Sequence, residues 1–175
     1  MANPEIFTAD YVGRPGQRTF YLQVREGEVH DSYLVEKQQI AVLAEKLREL
    51  LMSIDVQDTV RSTSPARDPA LALEEPLEAA YRVGTIGLAY EEESDRVLVF
   101  VQPVTEEDED GDEDENGDED EFSVSFSLRR DQVRAFVLHT AAVVQEGRPT
   151  CQLCGLPMDP DGHNCPASNG HRLSE

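Results

Sequence analysis

An α+β fold is predicted for this chain: an antiparallel sheet of about five to six strands with two helices on one face, followed by a short cysteine-bearing tail. Three observations predict it. Two stretches carry apolar side chains at helical spacing on one side only, so each must cover something apolar. Several others alternate apolar and polar residues with period two, as half-buried strands do. The order of about three strands and then a helix also occurs twice, a possible βββα repeat.

In chain order, residues 6–12 are a weak strand candidate. Residues 18–25 are a stronger one, with Phe20, Leu22 and Val24 on one face and Tyr21, Gln23 and Arg25 on the other. Gly13-Arg-Pro-Gly16 between them reads as a turn, and residues 29–35 as a further strand. Ile40, Leu43, Ala44, Leu47, Leu50 and Leu51 then form the stripe of a first helix. Residues 55–78, rich in Pro and Ala, bridge the halves and suggest a short helical turn around 70–75. Residues 82–90 and 97–104 flank Glu91-Glu-Glu-Ser-Asp95 as a hairpin. In residues 122–128 Phe122, Val124, Phe126 and Leu128 alternate with three serines, a strand with one buried face. The second helix carries Val133, Phe136, Val137, Thr140 and Val144, and Gly147 and Pro149 stop it. Gln39-Ile-Ala-Val-Leu-Ala44 and Gln132-Val-Arg-Ala-Phe-Val137 line up at an offset of 93 residues.

The chain has 175 residues and a formal net charge of −21, much of it local. Residues 106–121 hold 13 acids and no base, leaving 23 acids against 15 bases, or −8, elsewhere. A body at −8 offers neither nucleic-acid phosphates nor anionic lipid an electrostatic attraction. The acidic run repels itself and is expected to be a disordered loop inserted in a hairpin. Asp112-x-Asp114-x-Asn116-Gly117 begins like a calcium loop, but the twelfth position is Ser123 where a bidentate Glu is needed. The N-terminus has no secretory pattern, and the longest apolar run, Val97-Leu-Val-Phe-Val101, is far too short to span a bilayer. A cytoplasmic protein is expected, with no membrane partner.

The chemistry concentrates at the C-terminus. Cys151-Gln-Leu-Cys154-Gly155 has the shape of a zinc knuckle, in which two thiolates turn toward one metal and the glycine lets the backbone fold back. Cys165 lies ten residues beyond the Gly, with His163 and His171 beside it. Zn²⁺ takes four soft or borderline ligands in a tetrahedron, and Cys₃His is a common structural set. The expected ligands are Cys151, Cys154, His163 and Cys165, with His171 the alternative fourth. His163 directly follows Gly162 beside Cys165, so one turn delivers both side chains, whereas His171 lies four residues from the end of the chain. Four soft candidates point to a closed structural site rather than a catalytic one with an open position.

No familiar catalytic constellation accompanies this site. The zinc-deaminase pattern, His-Glu-x-x-His, Gly-x-Ser-x-Gly and the Gly-Lys-Ser/Thr phosphate loop are all missing. His30 and His139 stand alone and read as surface or satisfied core groups, and Arg129-Arg130 as a solvated helix start.

Four motifs in order, Pro15-Gly-Gln-Arg-Thr-Phe-Tyr-Leu-Gln23, Glu36-Lys-Gln-Gln-Ile40, Arg82-Val-Gly-Thr-Ile-Gly-Leu-Ala89 and the Cys-x-x-Cys-Gly…Gly-His-x-Cys-Pro tail, resemble an actinobacterial family of uncharacterised proteins, domain-of-unknown-function family 3090. The resemblance spans nearly the whole chain and implies the α+β body and the zinc site, but no activity. Two positions depart from it: Ala167 replaces an expected basic residue, and His171 an expected aromatic, which favours His163 as the ligand. The expectation is a non-enzymatic zinc protein with an α+β body over residues 1–147 and a zinc module over 148–175, working through protein partners. The alternative is an enzyme or small-molecule-binding protein with a pocket in the body, where Arg18, Gln23, Lys37 and Gln39 would supply polar contacts.

Overall fold

The computed structural model describes residues 1–55, 57–104, 124–146 and 151–154. The elements are β1 (Ile6–Val12), β2 (Thr19–Glu26), β3 (Val29–Val35), α1 (Lys37–Ile54), β4 (Ala79–Glu91), β5 (Arg96–Pro103), β6 (Val124–Leu128) and α2 (Arg130–Gln145). Two 3₁₀ turns, Thr59–Arg61 and Pro69–Leu71, lie between α1 and β4. The six strands form one sheet in chain order. Neighbours pair antiparallel except β3 and β4, which run parallel with Ser32 opposite Ala79 and Leu34 opposite Arg82. The sheet is therefore mixed, and the expectation of a purely antiparallel one is corrected. The cause is the crossover: α1 and its linker return the chain to the far end of the sheet before β4 begins, so β4 enters in the direction of β3.

The two edges of the sheet are tied together. Ala2 forms a parallel bridge to Phe126: the Ala2 N–H donates to the Ser125 carbonyl, and the Ser127 N–H donates to the Ala2 carbonyl, both at 2.8 Å. In a flat sheet about 24 Å would separate β1 from β6, at about 4.8 Å per strand. The four steps from Ala2 to Ile6 reach about 14 Å at most. The sheet must coil for that bridge to form.

One face of the coiled sheet is apolar. Phe7 and Ala9 of β1, Leu22 and Val24 of β2, Tyr33 of β3, Val97, Val99 and Val101 of β5, and Phe126 and Leu128 of β6 share a single buried cluster. Ile40, Leu43, Leu47 and Leu51 of α1 and Val133, Phe136 and Val137 of α2 complete it, as their spacing predicts. The two helices pack on each other, and α2 also lies along β1, where Phe136 and Phe7 set their rings 4.8 Å apart.

The other face of β1 to β3 departs from a solvated surface. Thr8, Asp10, Gln23, Arg25 and Ser32 point there and are all buried. The linker between α1 and β4 covers them and satisfies their polar groups with its backbone. Thr8 donates to the Leu71 carbonyl at 2.6 Å, and Arg25 to the Ala70 carbonyl at 2.7 Å. The Gln23 amide donates to the Glu74 carbonyl and accepts the Glu74 N–H, both at 2.9 Å. Within this linker the helical turn is Pro69–Leu71 instead of the expected 70–75. Asp68 starts it by accepting the Ala70 N–H, and Pro69 fits its first position because no amide hydrogen is needed there.

Each helix begins with the same device. The amide oxygen of Gln39 accepts the Glu36 N–H at 2.8 Å, and its nitrogen donates to the Val83 and Gly84 carbonyls at 3.0 and 2.9 Å. Gln132, 93 residues later, accepts the Arg129 N–H at 2.9 Å and donates to the Pro4 and Glu5 carbonyls at 2.7 and 2.9 Å. Gly84 is where the register of β4 shifts, and a Cβ there would meet the Pro103 carbonyl oxygen at 2.9 Å. Replacing Gln132 by Ala strands three backbone groups at a buried site, so a loss of about 2–3 kcal/mol in urea unfolding is expected. Gln39→Ala should cost less, because Gln39 is only half-buried and water can replace part of its bonding.

Candidate functional site

Among the expected metal ligands, Cys151 and Cys154 lie within the described residues, and His163, Cys165 and His171 lie outside them, as does the acidic run 106–121. Cys151 is buried, and Cys154, on the same turn three residues on, is half-buried. Such a turn brings residues i and i+3 within about 7 Å at their Cα atoms, close enough for two thiolates to share one ion. Among the described residues no group of three or more His, Cys, Asp or Glu side chains is placed to hold a metal. The other donors of the expected set belong to the tail beyond Cys154.

The body holds a polar cluster that the sequence reading did not single out. At its centre is Asp10 on β1, which is buried. Arg67 from the linker pairs with Asp10 on one side and with Glu146, at 2.9 Å, on the other. His139 of α2 is fully buried: its Nδ1 accepts the Asp68 N–H at 3.0 Å, which puts the proton on Nε2, 3.5 Å from the Asp10 carboxylate. The Tyr11 hydroxyl donates to Glu146 at 2.6 Å. Arg18 lies 4.0 Å above the Tyr11 ring centroid and donates to the Glu146 carbonyl. Nearby, Arg134 of α2 grips Asp58 through two hydrogen bonds of 2.9 and 2.6 Å, and Asp58 accepts the Val60 N–H at 2.8 Å.

This cluster is what a pocket protein would need, but the chain's own linker occupies it. His139 and Arg67 hold the segment that starts at Arg67, while Gln23 and Arg25 hold the stretch through Glu74. Of the polar contacts suggested for a pocket, Gln23 is used in this way, Arg18 holds the Glu146 carbonyl at the end of α2, Gln39 caps α1, and Lys37 makes no polar contact among the described residues. Arg129 pairs with Asp131, and Arg130 with Asp95 and the Tyr90 hydroxyl, in keeping with a solvated helix start. His30 sits 3.0 Å from the Pro76 carbonyl. One signal for His139 was available: it lies three residues beyond Phe136, on the buried stripe of its helix. Arg67 gave none, since its partners are 57 and 79 residues away.

The family model described as "Protein of unknown function (DUF3090)" matches residues 1–165. No curated protein and no solved structure matches the chain. No helix among the described residues is long and apolar enough to cross a membrane.

Burial pushes the Asp10 carboxyl upward, but the His139 ring 3.5 Å away and hydrogen bonds from the Tyr11 N–H and Arg67 outweigh it and hold the group below the usual carboxylate range. The Arg134 hydrogen bonds hold Asp58 below it as well, against the upward push of burial. Carboxyls depressed in the folded state stabilise it above their unfolded pKa of about 4, and that contribution disappears as pH falls through the folded values. Urea midpoints should therefore be flat from pH 7 to about pH 5 and drop steeply below pH 4. Asp10→Asn should lower stability near neutral pH and make the acid drop shallower, and an unchanged acid limb would remove Asp10 from this account.

Proposed function

Because the chain belongs to DUF3090, a family of proteins of unknown function, we propose its role from its own chemistry: a non-enzymatic, zinc-binding cytoplasmic protein of actinobacterial type that works through protein partners. The chain would then comprise an α+β body over 1–147, built from a duplicated βββα unit, and a zinc module over 148–175. The Cys151–Cys154 turn carries the proposal, with one thiol withdrawn from solvent in a stretch otherwise poor in apolar side chains. Cys165 and His163 complete a tetrahedral Cys₃His set, with His171 the alternative. Such a set fits Zn²⁺ in donor softness and number. Bound zinc would contribute roughly 10–16 kcal/mol of apparent free energy, far more than ordering a short tail costs. The interaction role is further supported by the body, where the convergent polar side chains are engaged by the linker.

Elemental analysis of the purified protein should give one Zn²⁺ per chain. Cys151→Ser, Cys154→Ser and Cys165→Ser should each lose it, and His163→Ala compared with His171→Ala decides the fourth ligand. A chelator should erase the dispersed NMR signals of the tail while leaving those of the body. Residues 1–147 alone should melt cooperatively, because every helix and strand above precedes Arg148. Partner capture that survives both chelation and removal of 148–175 would place the interaction on the body instead.

A further inference from the structure

Beyond the zinc module, we propose that a cleft between α1, α2 and the start of the linker binds a small organic anion with an apolar body. The linker leaves α1 at Asp55 and is pinned to α2 where Arg134 holds Asp58. Val60 then inserts into the core at 2% exposure. Past that point the chain lifts away, with the Ser62 and Thr63 hydroxyls turned back onto the Thr59 carbonyl at 3.3 and 2.8 Å. A cleft of about 420 Å³ remains between this loop and the two helices. That volume is within the range of small-molecule sites, about 300–1,000 Å³. Its floor is apolar, made of Val60, Val137, Leu138 and Ala141.

Two guanidiniums line the cleft, Arg48 from α1 and Arg61 from the loop. Elsewhere Arg25, Arg67, Arg82, Arg129, Arg130 and Arg134 each hold a carboxylate at 3.0 Å or closer. Arg61 makes no ion pair among the described residues, and Arg48 meets only its helical neighbour Glu45, at 3.7 Å. In a strongly acidic chain, two cations left so weakly neutralised beside an apolar floor fit an anionic head on a hydrophobic group. Glu45, which also lines the cleft, and the net charge of −21 work against a polyanion. The head group is a single phosphate or carboxylate, since a guanidinium binds either in bidentate fashion.

The test is an NMR titration of the full-length protein with phenyl phosphate and, separately, with benzoate. At least one should shift the amides of Arg61, Ser62, Ser64, Leu138 and Ala141, and the tighter of the two identifies the head group. Arg61→Ala, an exposed change that does not threaten folding, should weaken that binding about tenfold or more. Ala141→Phe, checked for an unchanged melting transition, should block it by filling the floor. Phenol and inorganic phosphate should each bind far more weakly, because each lacks one half of the recognised chemistry. Shifts centred elsewhere, equal binding by phenol or by inorganic phosphate, or an affinity untouched by Arg61→Ala would overturn the proposal.

Discussion

The architecture rests on two glutamine side chains, each serving both halves of the chain at once. Gln39 starts the helix of the first half and fastens it to backbone carbonyls of β4, the first strand of the second half. Gln132 starts the helix of the second half and fastens it to carbonyls just before β1. These are also the two places where strands meet in parallel, β3 with β4 and the Ala2 segment with β6. A helix start leaves amide hydrogens without partners, and here carbonyls at the register shift of β4 and just ahead of β1 need donors. A primary amide carries both an acceptor and two donors, so one side chain answers both shortages. Glu would lack the donors, and Lys the acceptor.

A second constraint follows from the sheet's polar face. Exposing Thr8, Gln23, Arg25 and Ser32 to water would have been simple, but the linker lies over them. Its carbonyls and amides need partners once buried, and the strand side chains supply them. The result is a third layer held by directional bonds where the opposite face relies on apolar contact. Asp10, Arg67 and His139 mark where that layer meets α2, and burial makes each bond there stronger and its loss more costly.

Much of the fold was legible because it is written in local periodicity. The alternation of Phe20, Leu22 and Val24 and the stripes through Ile40, Leu47 and Phe136 place the strands and helices within a few residues of where they lie. Pairing direction was not legible, since it depends on where a crossover delivers the chain and not on any residue of β3 or β4. The burial of Gln23 and Arg25 was also hidden. Their alternation with apolar neighbours is the same whether water or a linker covers them. The turn between Cys151 and Cys154 could be read directly, because the two cysteines are neighbours in sequence. The cleft was invisible for the opposite reason, since Arg48, Arg61 and Ala141 come together only through the packing of two helices and a loop.

The bridge from Ala2 to β6 also bears on how such a chain is made. Ala2 and its partners Ser125 and Ser127 lie more than 120 residues apart in the chain. At roughly 5–20 residues per second, synthesis takes on the order of ten seconds to pass from one to the other. During that interval the Pro4 and Glu5 carbonyls also lack Gln132, and β1 has only β2 beside it. Contacts so distant in sequence close late and slow the search for the native topology. The coil that joins the sheet's edges thus forms only once β6 has been made, and until then the edge of β1 is open to chaperones or to other chains.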